Sequence, residues 1–212
     1  MKESAKDITR TETAGKQYHP SSTQDFMTEA RRCAQCLKKG EIMLYPTDTI
    51  WGIGCDATNS EAVKRIFALK QRTDSKALIV LVDSMDMLDR YVDEVPEVAY
   101  QLIEAAVHPV TIVYDKGRGL APELLAEDGS VGVRVTSDPF CRALCRALGR
   151  PIVSTSANIS GMPPAKFYKD IAPELLDGVD CVAQWRLDDT TPSRPSSVIK
   201  LSAGGEVKIL RP

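Results

Sequence analysis

Four short stretches of the chain gather hydroxyl, amide, cationic and carboxylate side chains beside apolar runs. The first is Tyr45-Pro46-Thr47-Asp48-Thr49-Ile50-Trp51-Gly52-Ile53-Gly54, directly after strand-like text. Two hydroxyls and a carboxylate beside a Gly-rich turn make a ligand loop, or equally a tight turn stapled by its threonines. Gly52, Gly54 and Ala57 also fit G-x-G-x-x-A, but a dinucleotide-binding turn places its glycines immediately after the strand, and here PTDTIW intervenes. The second stretch is Lys70-Gln71-Arg72 with Lys76 close behind, at the end of a helical pattern. Cations there gain from the helix dipole and are ordinarily solvated, so both side chains are expected to contact water. A lysine and an arginine two apart also suit a polyphosphate, one as a point charge and the other as a bidentate fork.

The third stretch, Ser154-Thr155-Ser156-Ala157-Asn158-Ile159-Ser160, puts five Ser, Thr or Asn side chains within seven residues of a strand end. Such a loop offers neutral donors for phosphate or carboxylate oxygens, or forms an ST-turn that leads into a helix. Hydroxyls precede a strand again in the fourth, Arg194-Pro195-Ser196-Ser197-Val198-Ile199. The P-loop G-x-x-x-x-G-K-[ST], the zinc-protease H-E-x-x-H and the nucleophile elbow G-x-S-x-G do not occur.

Alternating helical and strand patterns must position these loops. Phe26, Ala30, Cys33, Ala34 and Leu37 recur at helical spacing and Gly40 ends that helix. A strand from Ile42 to Tyr45 stops at Pro46, and Asn59 or Ser60 caps a helix through Leu69. Leu78 to Val82, Val110 to Tyr114 and Val131 to Val135 read as strands, with a helix from Val95 to Val107 between the first two. Pro139 opens a helix through Leu148, which Gly149 closes. Ile152 to Ser154, Cys181 to Ala183, Val198 to Leu201 and Val207 to Leu210 complete the strands. The interleaving predicts a single α/β domain over residues 24–212, behind a mobile polar leader over residues 1–23. The later strands have fewer helices between them, so the expected sheet is mixed.

The chain has 212 residues, 43% of them hydrophobic, which suffices for one ordinary core. Apolar runs such as Ala77 to Val82 are too short to span a bilayer, and the N-terminal MKESAKDITR lacks the apolar stretch of a signal peptide. A cytoplasmic location without membrane association is the resulting expectation. A formal net charge of -2 argues against a general nucleic-acid coat protein. Six cysteines include Cys33-x-x-Cys36 and the pair Cys141 and Cys145, each in apolar helical text. Core packing is expected for them, in preference to a metal site or disulfides.

The strings YPTDTIWGIG, K-Q-R, STSANISG, PSSVI and the terminal ILRP, in this order over roughly Phe26 to Pro212, resemble the YrdC-like threonylcarbamoyl-adenylate synthases. The resemblance implies one α/β domain with a strongly twisted, open, mostly parallel sheet around a concave cleft. It implies synthesis of L-threonylcarbamoyl-adenylate from ATP, L-threonine and bicarbonate, with Mg2+ and release of pyrophosphate. A tRNA threonylcarbamoyl transferase would take up the product, and weak binding of tRNA or double-stranded RNA is compatible with it. Carried over by position, Lys70, Arg72, Ser156 and Asn158 form the catalytic group facing the triphosphate. Lys76, Ser130, Ser154 and Arg211 join Lys70, Arg72 and Asn158 around ATP. Thr47, Thr49, Arg134, Ser156 and Ser196 surround the threonine. The chain departs from the family pattern at Val107-His108-Pro109, Leu81, Pro164 and Pro195, and it ends at Pro212 without the extra C-terminal domain of the longer members. The competing expectations are a non-catalytic RNA-binding or regulatory relative of the same fold, and a carbamoyl-adenylate synthase for another acceptor.

Overall fold

The structure, a computed structural model, describes residues 23–71, 78–191 and 194–212. The expected leader lies outside them apart from Thr23, which is the first residue of α1 (Thr23–Lys38). Ala30, Cys33, Ala34 and Leu37 form the buried stripe of that helix, as their spacing predicts. Gly40, at φ +80°, then turns the chain into β1 (Met43–Tyr45). The Asn59 side chain caps α2 (Ser60–Leu69), accepting from the Ala62 amide at 3.1 Å. Asp138 caps α5 (Pro139–Leu148) through the Cys141 amide at 2.8 Å, and Gly149 closes it in the left-handed region at φ 76°. Two further helices had no forecast: α3 (Met85–Tyr91), capped by Ser84, and α6 (Pro173–Gly178). The remaining helix, α4 (Glu97–Ala105), is shorter than expected and leaves Val107 exposed.

The strands are β2 (Gly52–Gly54), β3 (Ile79–Val82), β4 (Val110–Tyr114), β5 (Val131–Val135), β6 (Ile152–Ser156), β7 (Cys181–Val182), β8 (Ser197–Leu201) and β9 (Val207–Arg211). With β1 they form one open sheet in the order β7-β1-β2-β6-β3-β5-β4-β8-β9. The sheet is mixed, as expected, but parallel pairing is the minority. Only β1–β7, β3–β5 and β4–β8 run parallel, and the other five neighbours are antiparallel. The helix α5 packs against α1 and β3, and α3 against β3 and β5.

The other correction concerns the glycines after PTDTIW. They form no turn; Gly52–Gly54 is a strand that pairs with β1 on one side and β6 on the other. Gly54 is required by close packing: an added Cβ would lie 2.4 Å from the Val153 carbonyl and 2.7 Å from Tyr45 Cε1. Gly54→Ala is therefore expected to cost more than about 2 kcal/mol, the cost of overpacking against rigid backbone. A lower urea midpoint at unchanged m-value would show it.

The cysteines are free, and five of the six are buried. Cys55, Cys141 and Cys145 pack in the core as expected. Cys33 and Cys181 belong to the same core and Cys36 packs against it, and Cys33 and Cys36 of α1 also lie near Cys181 of β7 beside Arg32, a polar arrangement that helical spacing within α1 does not reveal.

Candidate active site

Pairing across the sheet brings the three hydroxyl-bearing stretches together. The hairpin β1–β2 carries the Thr47 loop, and β2 aligns Gly52 with Ser156 and Ile53 with Thr155, so the STSAN loop lies beside it. Next come β3 and β5, where Arg134 sits opposite Leu81, and then β4 and β8, where Val110 lies opposite Ser197. A cavity of about 620 Å³ opens beside these loops. Thr47, Thr49, Arg134, Ser156 and Ser196, the residues expected around threonine, all line it. Ser130, Ser154 and Arg211, three of those expected around ATP, line it as well. A second cavity of the same size shares the Thr47, Thr49, Ile50, Trp51 and Pro195 wall and is lined further by Asp48, His108 and Arg186.

Arg134 organises the wall formed by the Thr47 loop. It is 3% exposed, and its Nη2 lies 3.1 Å from Asp48 Oδ1. The same Nη2 donates to Thr49 Oγ1 at 3.4 Å; Thr49 and Thr47 hydroxyls lie 3.0 Å apart, and Thr47 Oγ1 donates to the Ile50 carbonyl at 2.7 Å. The turn stapled by threonines and the ligand loop are thus one structure. Asp48 is held in turn by Thr136, whose hydroxyl donates to Oδ2 at 3.0 Å. Arg134 Nε and Thr155 Oγ1 are buried with no hydrogen-bond partner, and both residues line the first cavity. Orphaned polar atoms of this kind are costly in a folded chain and mark where a ligand supplies the missing partner.

On the opposite wall, Ser196 Oγ and Thr111 Oγ1 are 2.8 Å apart and both residues are buried. Arg211 donates from Nε and Nη2 to the Ser196 carbonyl at 3.0 and 2.8 Å, which ties the strand-end arginine to the PSSVI loop. Trp51, 5.0 Å from the Tyr168 ring between centroids, stands between the two cavities.

Lys70 reaches the STSAN loop, though not as expected. It is 1% exposed, and its ammonium donates to the Ser156 carbonyl and to the Asn158 carbonyl, the latter at 2.6 Å. The expectation of a water-exposed lysine at a helix end is therefore wrong for Lys70: the long stem carries the charge off the helix axis and under the loop. Asn158 Oδ1 accepts from Ser156 Oγ, and its amide donates to the Ile159 carbonyl at 3.1 Å and to the Met162 carbonyl. Neither Lys70 nor Asn158 lines the cavity in this arrangement; they shape the loop from behind. Arg72 and Lys76 lie outside the described residues. Gln71, just before that segment, takes a left-handed φ of 52° and so turns the chain away from α2.

Three functional candidates escaped assignment from sequence. Asp48 stood within the first stretch but had no role until its arginine partner was located. Thr111 sits in an ordinary strand pattern. Arg186 donates to the Thr47 carbonyl at 2.5 Å and to Asp138 Oδ2 at 2.9 Å, bracing the loop from a segment with no motif at all. Of the departures from the family pattern, Pro164 and Pro195 line the first cavity and His108 the second, whereas Leu81 is a core residue.

Comparison with known proteins agrees with this arrangement. The Sua5/YciO/YrdC family, described as "Telomere recombination", matches residues 35–212. A threonylcarbamoyl-AMP synthase of Photobacterium profundum is 32% identical over 161 residues, which are 74% of this chain and 87% of that protein. A second of the same name, from Vibrio parahaemolyticus, is 33% identical over 177 residues, or 81% and 94% of the two chains. Among solved structures, P. abyssi Sua5 complexed with L-threonine superimposes with a TM-score of 0.73 at 28% identity over 82% of this chain. This chain spans about half of that Sua5 chain, 51% of its length. With the shared strands and loops spanning nearly the whole domain, the chain belongs to the Sua5/YciO/YrdC family.

Proposed function

We propose that the protein is an L-threonylcarbamoyl-adenylate synthase, using ATP, L-threonine and bicarbonate and releasing pyrophosphate. The observation that carries this reading is the convergence on one cavity of a buried arginine with an unpartnered Nε, three hydroxyl-bearing loops and Arg211. The threonine carboxylate supplies the acceptor that Arg134 lacks, as a planar guanidinium favours. Thr47, Thr49 and Ser196 then surround the rest of the amino acid. Bicarbonate and the threonine amine condense to a carbamate with loss of water. A carbamate oxygen attacks the α-phosphate of ATP, and the pyrophosphate oxygen leaves.

Nucleophile and electrophile are both anionic, so the protein's task is to offset repulsion and hold the groups in line. Carbamate is nucleophilic already, and no side-chain nucleophile is needed. In this reading Ser130, Ser154, Ser156 and Arg211, which line the cavity, hold the nucleotide, with Arg72 and Lys76 as its further cations. Lys70 and Asn158 contribute by fixing the loop that presents Ser156. Magnesium is the expected companion of the triphosphate. Among the described residues no group of three or more His, Cys, Asp and Glu side chains is arranged to hold a metal ion. In this reading the cation would be held chiefly by phosphate oxygens and water, beside Ser156 Oγ. Bound there, it would neutralise charge on the departing pyrophosphate.

The product is a mixed anhydride whose use is transfer to an amine, and a tRNA threonylcarbamoyl transferase in the cytoplasm is the proposed recipient. Six free thiols accord with a reducing compartment, and no helix of the described residues is long and apolar enough to cross a membrane. The test is pyrophosphate release by purified protein with each co-substrate omitted in turn. Release is expected only with ATP, threonine and bicarbonate together; release independent of threonine would refute the assignment.

A further inference from the structure

Three thiols that the proposed reaction does not use meet near one edge of the sheet. Cys33 and Cys36 lie on α1, and Cys181 lies on the edge strand β7, which α1 covers. None of the three lines either cavity. A single guanidinium touches two of the sulfurs: Arg32 Nη1 is 3.4 Å from Cys181 Sγ, and Nη2 is 3.8 Å from Cys33 Sγ. That guanidinium is fixed by Glu29, at 2.9 and 2.6 Å, and by the Val182 carbonyl at 2.7 Å. Its outer face meets water, with 46% of the Arg32 side chain exposed, while Cys181 itself is 5% exposed.

The Cys33 thiol donates to Glu29 Oε1 at 3.5 Å. The neighbouring Cys33 and Cys36 thiols, with Arg32, bring the Cys181 thiol down to about 6, against the opposing effect of burial. The neighbours move the other way: the nearness of Cys181 and burial push the Cys33 thiol up, and burial together with Cys181 takes Cys36 to about 12. Arg32 at 3.4 Å from Cys181 and the Glu29 carboxylate at 3.5 Å from Cys33 favour the thiolate at Cys181 over Cys33, the arrangement that favours reaction at one sulfur and resolution by another. Cys55, Cys141 and Cys145 differ, since burial pushes all three thiols up.

We propose that Cys181 is a peroxide-reactive thiol whose oxidation resolves into a disulfide with an α1 cysteine, Cys33 or Cys36. The Cys181 thiolate attacks the terminal oxygen of a hydroperoxide, forming an S–O bond and breaking O–O, with the alkoxide, or hydroxide from hydrogen peroxide itself, as leaving group. The α1 thiol gives its proton to that leaving group, attacks the sulfenic sulfur and displaces hydroxide, which takes a proton from solvent to become water. Two thiols and one hydroperoxide thereby become one disulfide, water and the reduced peroxide, and thiol exchange reverses the link.

The test treats the full-length protein with hydrogen peroxide, blocks remaining thiols by alkylation, and maps peptides by mass spectrometry. The expected result is a reductant-sensitive cross-link between the Cys181 peptide and the peptide holding Cys33 and Cys36, formed while Cys55 and Cys145 remain alkylatable. Cys181→Ser abolishes the cross-link. Arg32→Met slows its formation by roughly tenfold, because less of Cys181 is thiolate. Oxidation of Cys181 no faster than of Cys55 in the folded wild-type protein would overturn the proposal. So would a Cys33–Cys36 link, or accumulation of sulfinic acid at Cys181 without a cross-link.

Discussion

Arg134→Met is expected to raise the KM for threonine about a hundredfold or more and to lower folding stability by about 3–5 kcal/mol. The first effect would follow from losing the proposed partner of the substrate carboxylate, the second from what stays behind. Asp48 pairs with Arg134 at 3.1 Å, and its side chain is 8% exposed, so the arginine's removal strands a carboxylate away from water. The two effects separate in a cycle. Asp48→Asn on the Arg134→Met background recovers much of the lost stability, because the buried charge is gone, but leaves the threonine KM high. Urea unfolding and steady-state kinetics on the four proteins read both. An Arg134→Met protein with wild-type threonine KM would remove the arginine from the site.

Lys70→Met should lower kcat by tenfold to a thousandfold, the worth of one charge-assisted contact in organising a site at about 1.4 kcal/mol per decade. It should also destabilise the fold by about 2–4 kcal/mol, since the Ser156 and Asn158 carbonyls lose a cationic donor in a buried place. The paired loss distinguishes a buried lysine from a solvated one, whose removal would leave unfolding unchanged. Comparison with Arg72→Ala is informative, because a side chain acting only on substrate lowers kcat without moving the urea midpoint. Normal activity in Lys70→Met would show that the loop holds its shape unaided.

Elements with strong local signals were legible in the sequence. The text from Asp138 to Gly149 supplies a cap, a proline at the first turn, an apolar stripe and a left-handed terminator, and α5 follows it residue for residue. The four loops were visible because a strand seldom ends in so many hydroxyls without a ligand or a turn to hold. What stayed hidden depends on the partner, not on local text. Gly52–Gly54 looked like a turn because its strand character comes from pairing with β6, more than a hundred residues later along the chain. Nothing near Lys70 discloses that its ammonium points under the STSAN loop. The pattern of helices between strands pointed to a mixed sheet, but the mostly parallel pairing that the resemblance implied does not hold, because the chain inserts β6 antiparallel between β2 and β3. Cys181 meets Cys33 only through the β1–β7 pairing, so no spacing rule within α1 brings the third thiol into view.

The most direct test of the synthase assignment follows the carbon of bicarbonate. The purified protein is incubated with ATP, L-threonine, magnesium and carbon-13 bicarbonate, and the nucleotide products are resolved by mass spectrometry before they hydrolyse. The account predicts an adenylate that carries threonine and a labelled carbamoyl carbon, formed in proportion to the pyrophosphate released and missing when threonine is omitted. Pyrophosphate released with no labelled adenylate, or a labelled adenylate formed equally well with any amino acid, would contradict it.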